Sequence, residues 1–76
     1  MIEPEIAAAQ RRLSPLPSVP RTRRDYRRVA RWWELEARRR GQSYLDCLRY
    51  AANMRWAAER VAETGPGTWS DLKSRT

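Results

Sequence analysis

The chain has no histidine, one cysteine, one lysine and three glycines in 76 residues. Without histidine, general acid–base chemistry loses the only side chain that titrates unperturbed near neutral pH. The lone Cys47 excludes an intrachain disulfide, and with no histidine beside it a cysteine–histidine zinc site within one chain is excluded too. Gly41, Gly65 and Gly67 form no phosphate-cradling loop, and no nucleophile stands beside a base. The nine carboxylates are scattered singly except for close pairs such as Glu34 and Glu36, whose spacing turns them to different sides of a helix. These absences predict a non-enzymatic protein with no cofactor and no metal. No apolar run reaches membrane-spanning length, and Met1-Ile2-Glu3-Pro4-Glu5 lacks the basic start and apolar stretch of a signal segment. A soluble, cytoplasmic protein is expected.

What the chain has in excess is arginine: 15 residues, against the single Lys73. A GC-rich coding sequence accounts for that ratio but not for the clustering. Arg21, Arg23, Arg24, Arg27, Arg28 and Arg31 fall within eleven residues, and against the one acid Asp25 they leave the window at +5 of the chain's +7. The guanidinium donates in a planar fork that fits phosphate or carboxylate oxygens in pairs, so the cluster predicts a negatively charged partner.

At this length one domain is the most the chain can form, and its core supplies only a few kcal/mol without a staple. Three regions are expected. Residues 1–20 form an N-terminal arm: a short helix in which Ile2, Ile6, Ala9 and Leu13 recur at helical spacing, then the run Ser14 to Pro20, whose prolines favour an extended connector. Leu16 and Val19 of that connector either lie on an apolar groove or belong to a solvated linker.

Residues 22–64 are expected as a helical hairpin. The first helix starts at Thr22, where Thr22 and Asp25 have capping-box spacing, and stops at Gly41. Tyr26, Val29, Ala30, Trp33 and Ala37 share one side of it; Arg24, Arg27, Arg31 and Arg38 gather almost opposite, flanked by Arg28 and Arg39. The second helix starts at Ser43, which repeats the box with Asp46, and ends at Gly65-Pro66-Gly67. Tyr44, Cys47, Ala51, Met54, Ala58 and Val61 follow a seven-residue pattern, a seam of mostly small residues that permits close helix approach, with Leu48 and Ala62 widening it. Residues 65–76 form a C-terminal tail.

The predicted class is thus all-α, an antiparallel two-helix hairpin with a short N-terminal helix or arm, completed by dimerisation into a helical bundle. The last step is inferred from surplus apolar side chains: Trp32 and Leu35 on the first helix, and Leu45, Ala52 and Trp56 on the second, fall outside the facing stripes. The arm, the tail with Trp69 as anchor, a second copy or a foreign protein are the candidate covers.

Arg49, Asn53, Trp56 and Arg60 share a second face of the second helix, and are residue types that fork to guanine, fork to adenine or stack on an unpaired base. The plainer reading makes Arg49 and Arg60 solvated and Trp56 a packing group. Arg55, beside the core stripe, is expected to pair with Glu34 or Glu36 across the hairpin, Cys47 to be a small buried hydrophobe, and Tyr26, Tyr44 and Tyr50 to pack with hydroxyls at the rim.

Two functions follow from these patterns. In the first, Arg24, Arg27, Arg28, Arg31 and Arg38 bind DNA or RNA phosphates, with preference coming at most from Arg49, Asn53 and Trp56. In the second, the chain is a small regulator or accessory subunit docking on an acidic protein surface through Trp32, Leu35 and Trp56, with arginines as the rim. The outline is similar to small RNA-binding dimeric bundles and to small phage- or plasmid-encoded regulators, with no shared motif.

Overall fold

A computed structural model describes residues 3–40 and 44–75. Its described residues form four helices and no strand: α1 (Glu3–Leu13), α2 (Arg23–Arg40), α3 (Tyr44–Thr64) and α4 (Trp69–Ser74). Among the described residues no helix is long and apolar enough to cross a membrane.

Local chemistry accounts for the helix ends. The Thr22 hydroxyl accepts from the Asp25 backbone N–H at 3.1 Å while the Asp25 carboxylate accepts from Thr22 N–H at 3.2 Å, a reciprocal cap that starts α2. A third bond, from Arg21 N–H at 3.1 Å, holds the Asp25 carboxyl below its usual range. At the end of α3, Gly65 takes φ +97 and its N–H returns to Val61 O at 2.8 Å, a left-handed conformation that side chains avoid. The expected stop at Gly41 and cap at Ser43 lie outside the described residues.

α2 and α3 pack closely and antiparallel, as their partners show: Tyr26 meets Gly67, Trp33 stacks on Tyr50, and Glu34 meets Arg55. The seam buries Cys47, Ala51, Ala58 and Val61, with Met54 half-buried, as the seven-residue pattern requires. Its edges differ from the expected ones. Tyr44 and Leu48 remain 45% and 43% exposed, whereas Ala57, outside the expected stripe, is fully buried.

The surplus apolar groups are covered largely by the chain itself. α1 packs along α2, with Gln10 donating to Trp32 O at 3.4 Å and to Glu36 Oε1 at 2.9 Å, and Arg28 donating to Leu13 O. Arg28, Trp32, Leu35 and Arg39 recur at four, three and four and define this second flank of α2. Leu35, expected as open surface, is therefore buried, and Trp32 is half-buried with its ring edge on Trp33. The α1 face itself centres on Ile6 and the polar Gln10, both buried, while Ala9 is only half-buried.

The tail covers the other end. Thr68 and Asp71 form a second reciprocal cap that starts α4, Leu72 is fully buried beside Tyr26, Ala57, Ala58 and Val61, and the Trp69 ring edge meets Trp56 at 5.5 Å. Tyr26 sends its hydroxyl inward to Gly67 O rather than to the rim, because the 65–67 turn crosses over it. Between α1 and α2 the connector bends at Pro15 and at Ser18 and Val19 instead of running straight, leaving Leu16 half-buried and Val19 53% exposed. With the arm and tail in place, α1 and α4 cover much of the apolar surface that lies outside the α2–α3 seam, while Tyr44, Leu45 and Leu48 stay exposed.

Candidate nucleic-acid interface

The side of α2 that faces neither α1 nor α3 carries the arginines. Arg23, Arg24, Arg27, Arg31 and Arg38 are exposed there, and Arg23, Arg24, Arg27 and Arg38 make no ion pair or hydrogen bond among the described residues. Arg24, Arg27, Arg31 and Arg38 follow at three, four and seven residues, with Arg23 one turn before Arg27, so the charge forms a continuous strip.

α3 turns that strip into the wall of a groove. Arg23, Arg24, Arg27, Arg28 and Arg31 line, with Leu13 of α1 and Arg55 of α3, a concavity of about 580 Å³. A recess of about 310 Å³ shares Arg23, Arg27 and Arg55 and continues to Trp56, Ala58 and Glu59. In the other direction a third hollow, about 450 Å³, shares Arg31 and adds Glu34, Ala37, Arg38, Tyr44 and Leu48. The three adjoin along one side of the hairpin.

Arg55 and Glu34 fix the groove floor. Arg55 Nε and Nη2 donate to the two Glu34 oxygens at 2.9 Å each, and Arg31 Nη1 stands 3.7 Å from the same carboxylate. The hydrogen bonds from Arg55 hold the Glu34 carboxyl below its usual range against the opposing effect of burial, and the same bonds push the Arg55 guanidinium up. Of the two expected partners for Arg55, Glu34 takes the role; Glu36 is buried on the α1 flank with Gln10, and Arg39 approaches it at 3.7 Å.

The second expected constellation divides. Arg49 and Asn53 are exposed and, with Asp46 and Tyr50, surround a hollow of about 340 Å³ on another side of α3. Trp56 and Arg60 belong instead to the α4 contact. Trp56 is half-buried against the core, and Lys73 Nζ stands 5.4 Å from its ring centroid. Arg60 bonds Glu63 at 3.1 Å and the Arg75 carbonyl at 3.2 Å.

Arg23 and Arg55 line the groove although neither was singled out as a binding residue; Trp56, which was, lines its recess, with Trp69 and Lys73 beside it. Arg23 was legible, lying one helical turn before Arg27. Arg55 and the tail cluster required the register of α3 on α2 and the fold-back of α4. No group of three or more His, Cys, Asp or Glu side chains converges as a metal site among the described residues. Comparison with protein-family models, with curated proteins and with solved structures finds no match.

Proposed function

We propose that the protein binds nucleic acid through the arginine groove of α2 and α3, chiefly by phosphate contact. The observation that carries this reading is the convergence of six guanidinium groups, from Arg23, Arg24, Arg27, Arg28, Arg31 and Arg55, on one concavity. Among the described residues, the carboxylate that pairs with them is Glu34, which meets Arg31 and Arg55. Arginine forks onto phosphate oxygens, and releasing condensed counterions from the nucleic acid supplies the driving force. Arg49 and Asn53 lie away from this groove, so they serve as a peripheral contact rather than its centre. The test is fluorescence anisotropy with duplex and single-stranded DNA and RNA from low to physiological salt, comparing wild type with the Arg24, Arg27, Arg31 and Arg38→Ala variant. Micromolar binding at low salt is expected, and its absence for all four ligands overturns the reading.

Docking on an acidic protein surface is the second reading. Its expected anchors are drawn into the fold, Leu35 fully and Trp32 and Trp56 in part, which leaves such an interface less apolar surface at these positions. Self-association draws on a different observation: Tyr44, Leu45 and Leu48, 43–64% exposed, share one side of the first turns of α3. A dimer of this chain would pair through that patch.

A further inference from the structure

We propose that the recess beside Trp56 is a stacking subsite for one unpaired base of a single-stranded nucleic acid. The inference rests on the nucleic-acid reading above and adds to it a strand type and a base-dependent contact.

Trp56 lies off the α2–α3 seam, yet it is neither buried nor left on open surface. It packs against the core cluster and the Trp69 edge, and it also lines the recess with Arg23, Arg27, Arg55 and Glu59. An indole that only filled a gap under α4 would have no reason to share a concavity with three guanidinium groups. At about 310 Å³ the recess sits at the lower end of the roughly 300–1,000 Å³ of small-ligand sites, a space for one nucleotide rather than a duplex.

The surrounding chemistry matches a nucleotide part by part. Arg23 and Arg27 stand one turn apart on α2, about 6 Å along its axis, and can take the phosphates on either side of one sugar. The Trp56 indole lines the recess, and every base has a face that can stack on an aromatic ring, so the contact tolerates sequence. The Glu59 carboxylate at the rim accepts from exocyclic amino groups, which adenine, cytosine and guanine carry and uracil and thymine lack. Lys73 Nζ lies over the Trp56 ring at 5.4 Å from its centroid and over the Trp69 ring at 5.6 Å, adding positive charge beside the platform. In a duplex the bases stack on one another and present no free face, so the subsite selects single strands.

The test compares short oligonucleotides with strands of the same length and backbone that carry abasic sites throughout, in DNA and RNA arms, by anisotropy on the intact protein. Because the change is made in the ligand, folding of a variant is not at issue. Intact strands should bind about tenfold tighter or more in at least one arm, with the same salt slope as the abasic strands because the phosphate count is equal. Ultraviolet crosslinking to a 5-iodocytosine strand should mark the tryptic peptide Trp56 to Arg60. Equal affinity of intact and abasic strands overturns the stacking subsite and leaves phosphate binding standing. Adducts confined to the peptides of Tyr44, Tyr50 or Trp69 overturn it as well. Failure of every strand to bind at low salt overturns the subsite together with the nucleic-acid reading.

Discussion

The Tyr26 hydroxyl donates to the Gly67 carbonyl at 2.7 Å, joining residues 41 positions apart at a site where Tyr26 is 1% exposed. This bond fastens the first turn of α2 to the turn that follows α3. Gly67 N–H adds a second tie by donating to Arg21 O at 2.9 Å. The tail is thereby held where Leu72 completes the core and where Trp69 meets Trp56.

Tyr26→Phe should cost about 1–3 kcal/mol, the penalty for a buried carbonyl that loses its donor, with little change in helix content. Leu72→Ala should cost about 2–5 kcal/mol through lost burial and the cavity it leaves. Urea unfolding followed by circular dichroism measures both. Costs near zero for the two variants would show that the tail does not hold the core.

Substitutions on α3 should separate its faces. Ala51→Glu and Ala58→Glu each place an unpaired carboxylate at a close helix contact and should unfold a domain of this size, whose total stability is only a few kcal/mol. Arg49→Ala, on the exposed side, should change stability by less than about 0.5 kcal/mol. Thermal melts rank the three, and the reverse order would contradict the seam.

Stability should fall in acid. Backbone hydrogen bonds from Arg21 to Asp25, the Arg55 bonds to Glu34, and the Thr68 bond to Asp71 hold these carboxyls below their usual range. The unfolded chain therefore takes up protons first, at about pH 4, and the stability these groups contribute is lost as pH drops through and below that range. Growing positive charge on an already basic chain acts in the same direction. Burial pushes the Tyr26 phenol up, so the unfolded chain releases that proton first and stability declines again as pH rises through about 10. Melting temperature measured across pH 2–11 should show a plateau between the two limbs, and Glu34→Gln should flatten the acid limb. A flat profile below pH 5 would remove the role given to these carboxylates.

Nucleic-acid affinity should fall linearly with salt on logarithmic axes. Each arginine that meets a phosphate contributes about 0.9 to the slope on a duplex, so the Arg24, Arg27, Arg31 and Arg38→Ala variant should lose up to about four units. Titrations at several salt concentrations give both slopes. An unchanged slope would place the phosphate contacts elsewhere on the molecule.

The exposed patch on α3 sets the expectation for assembly. If copies pair through Tyr44, Leu45 and Leu48, sedimentation equilibrium at micromolar concentration should give a dimer, and Leu45→Glu with Leu48→Glu should give a monomer that still folds. A monomer mass for the wild type would show that α1 and α4 suffice.

Residues 22–25 and 65–67 were legible as helix boundaries because capping is local: Thr22 and Asp25 satisfy each other within one turn, and Gly65 adopts a conformation that only its own backbone decides. The same local rule stands in Thr68 and Asp71, although residues 65–76 were expected as a tail and α4 was not anticipated. The helix period likewise placed Cys47, Ala51, Ala58 and Val61 on one seam and the α2 arginines on one open face.

Burial beyond that seam was not readable from period alone. Leu35 and Trp32 look like open surface until α1 lies over them, and Trp56 looks like a free face until α4 brings Trp69 against it. Both arrangements depend on where a proline-rich connector and a short turn send the chain, and no residue spacing within α2 or α3 encodes that. By itself the sequence determined an all-helical hairpin and the side of it on which positive charge collects, because caps and helical period act over a few residues. Tertiary structure alone decided that Arg55 joins the arginines, that Trp56 stands at the end of their groove and that α1 and α4 cover Leu35 and Trp56, because each depends on contacts between residues 13 to 41 positions apart.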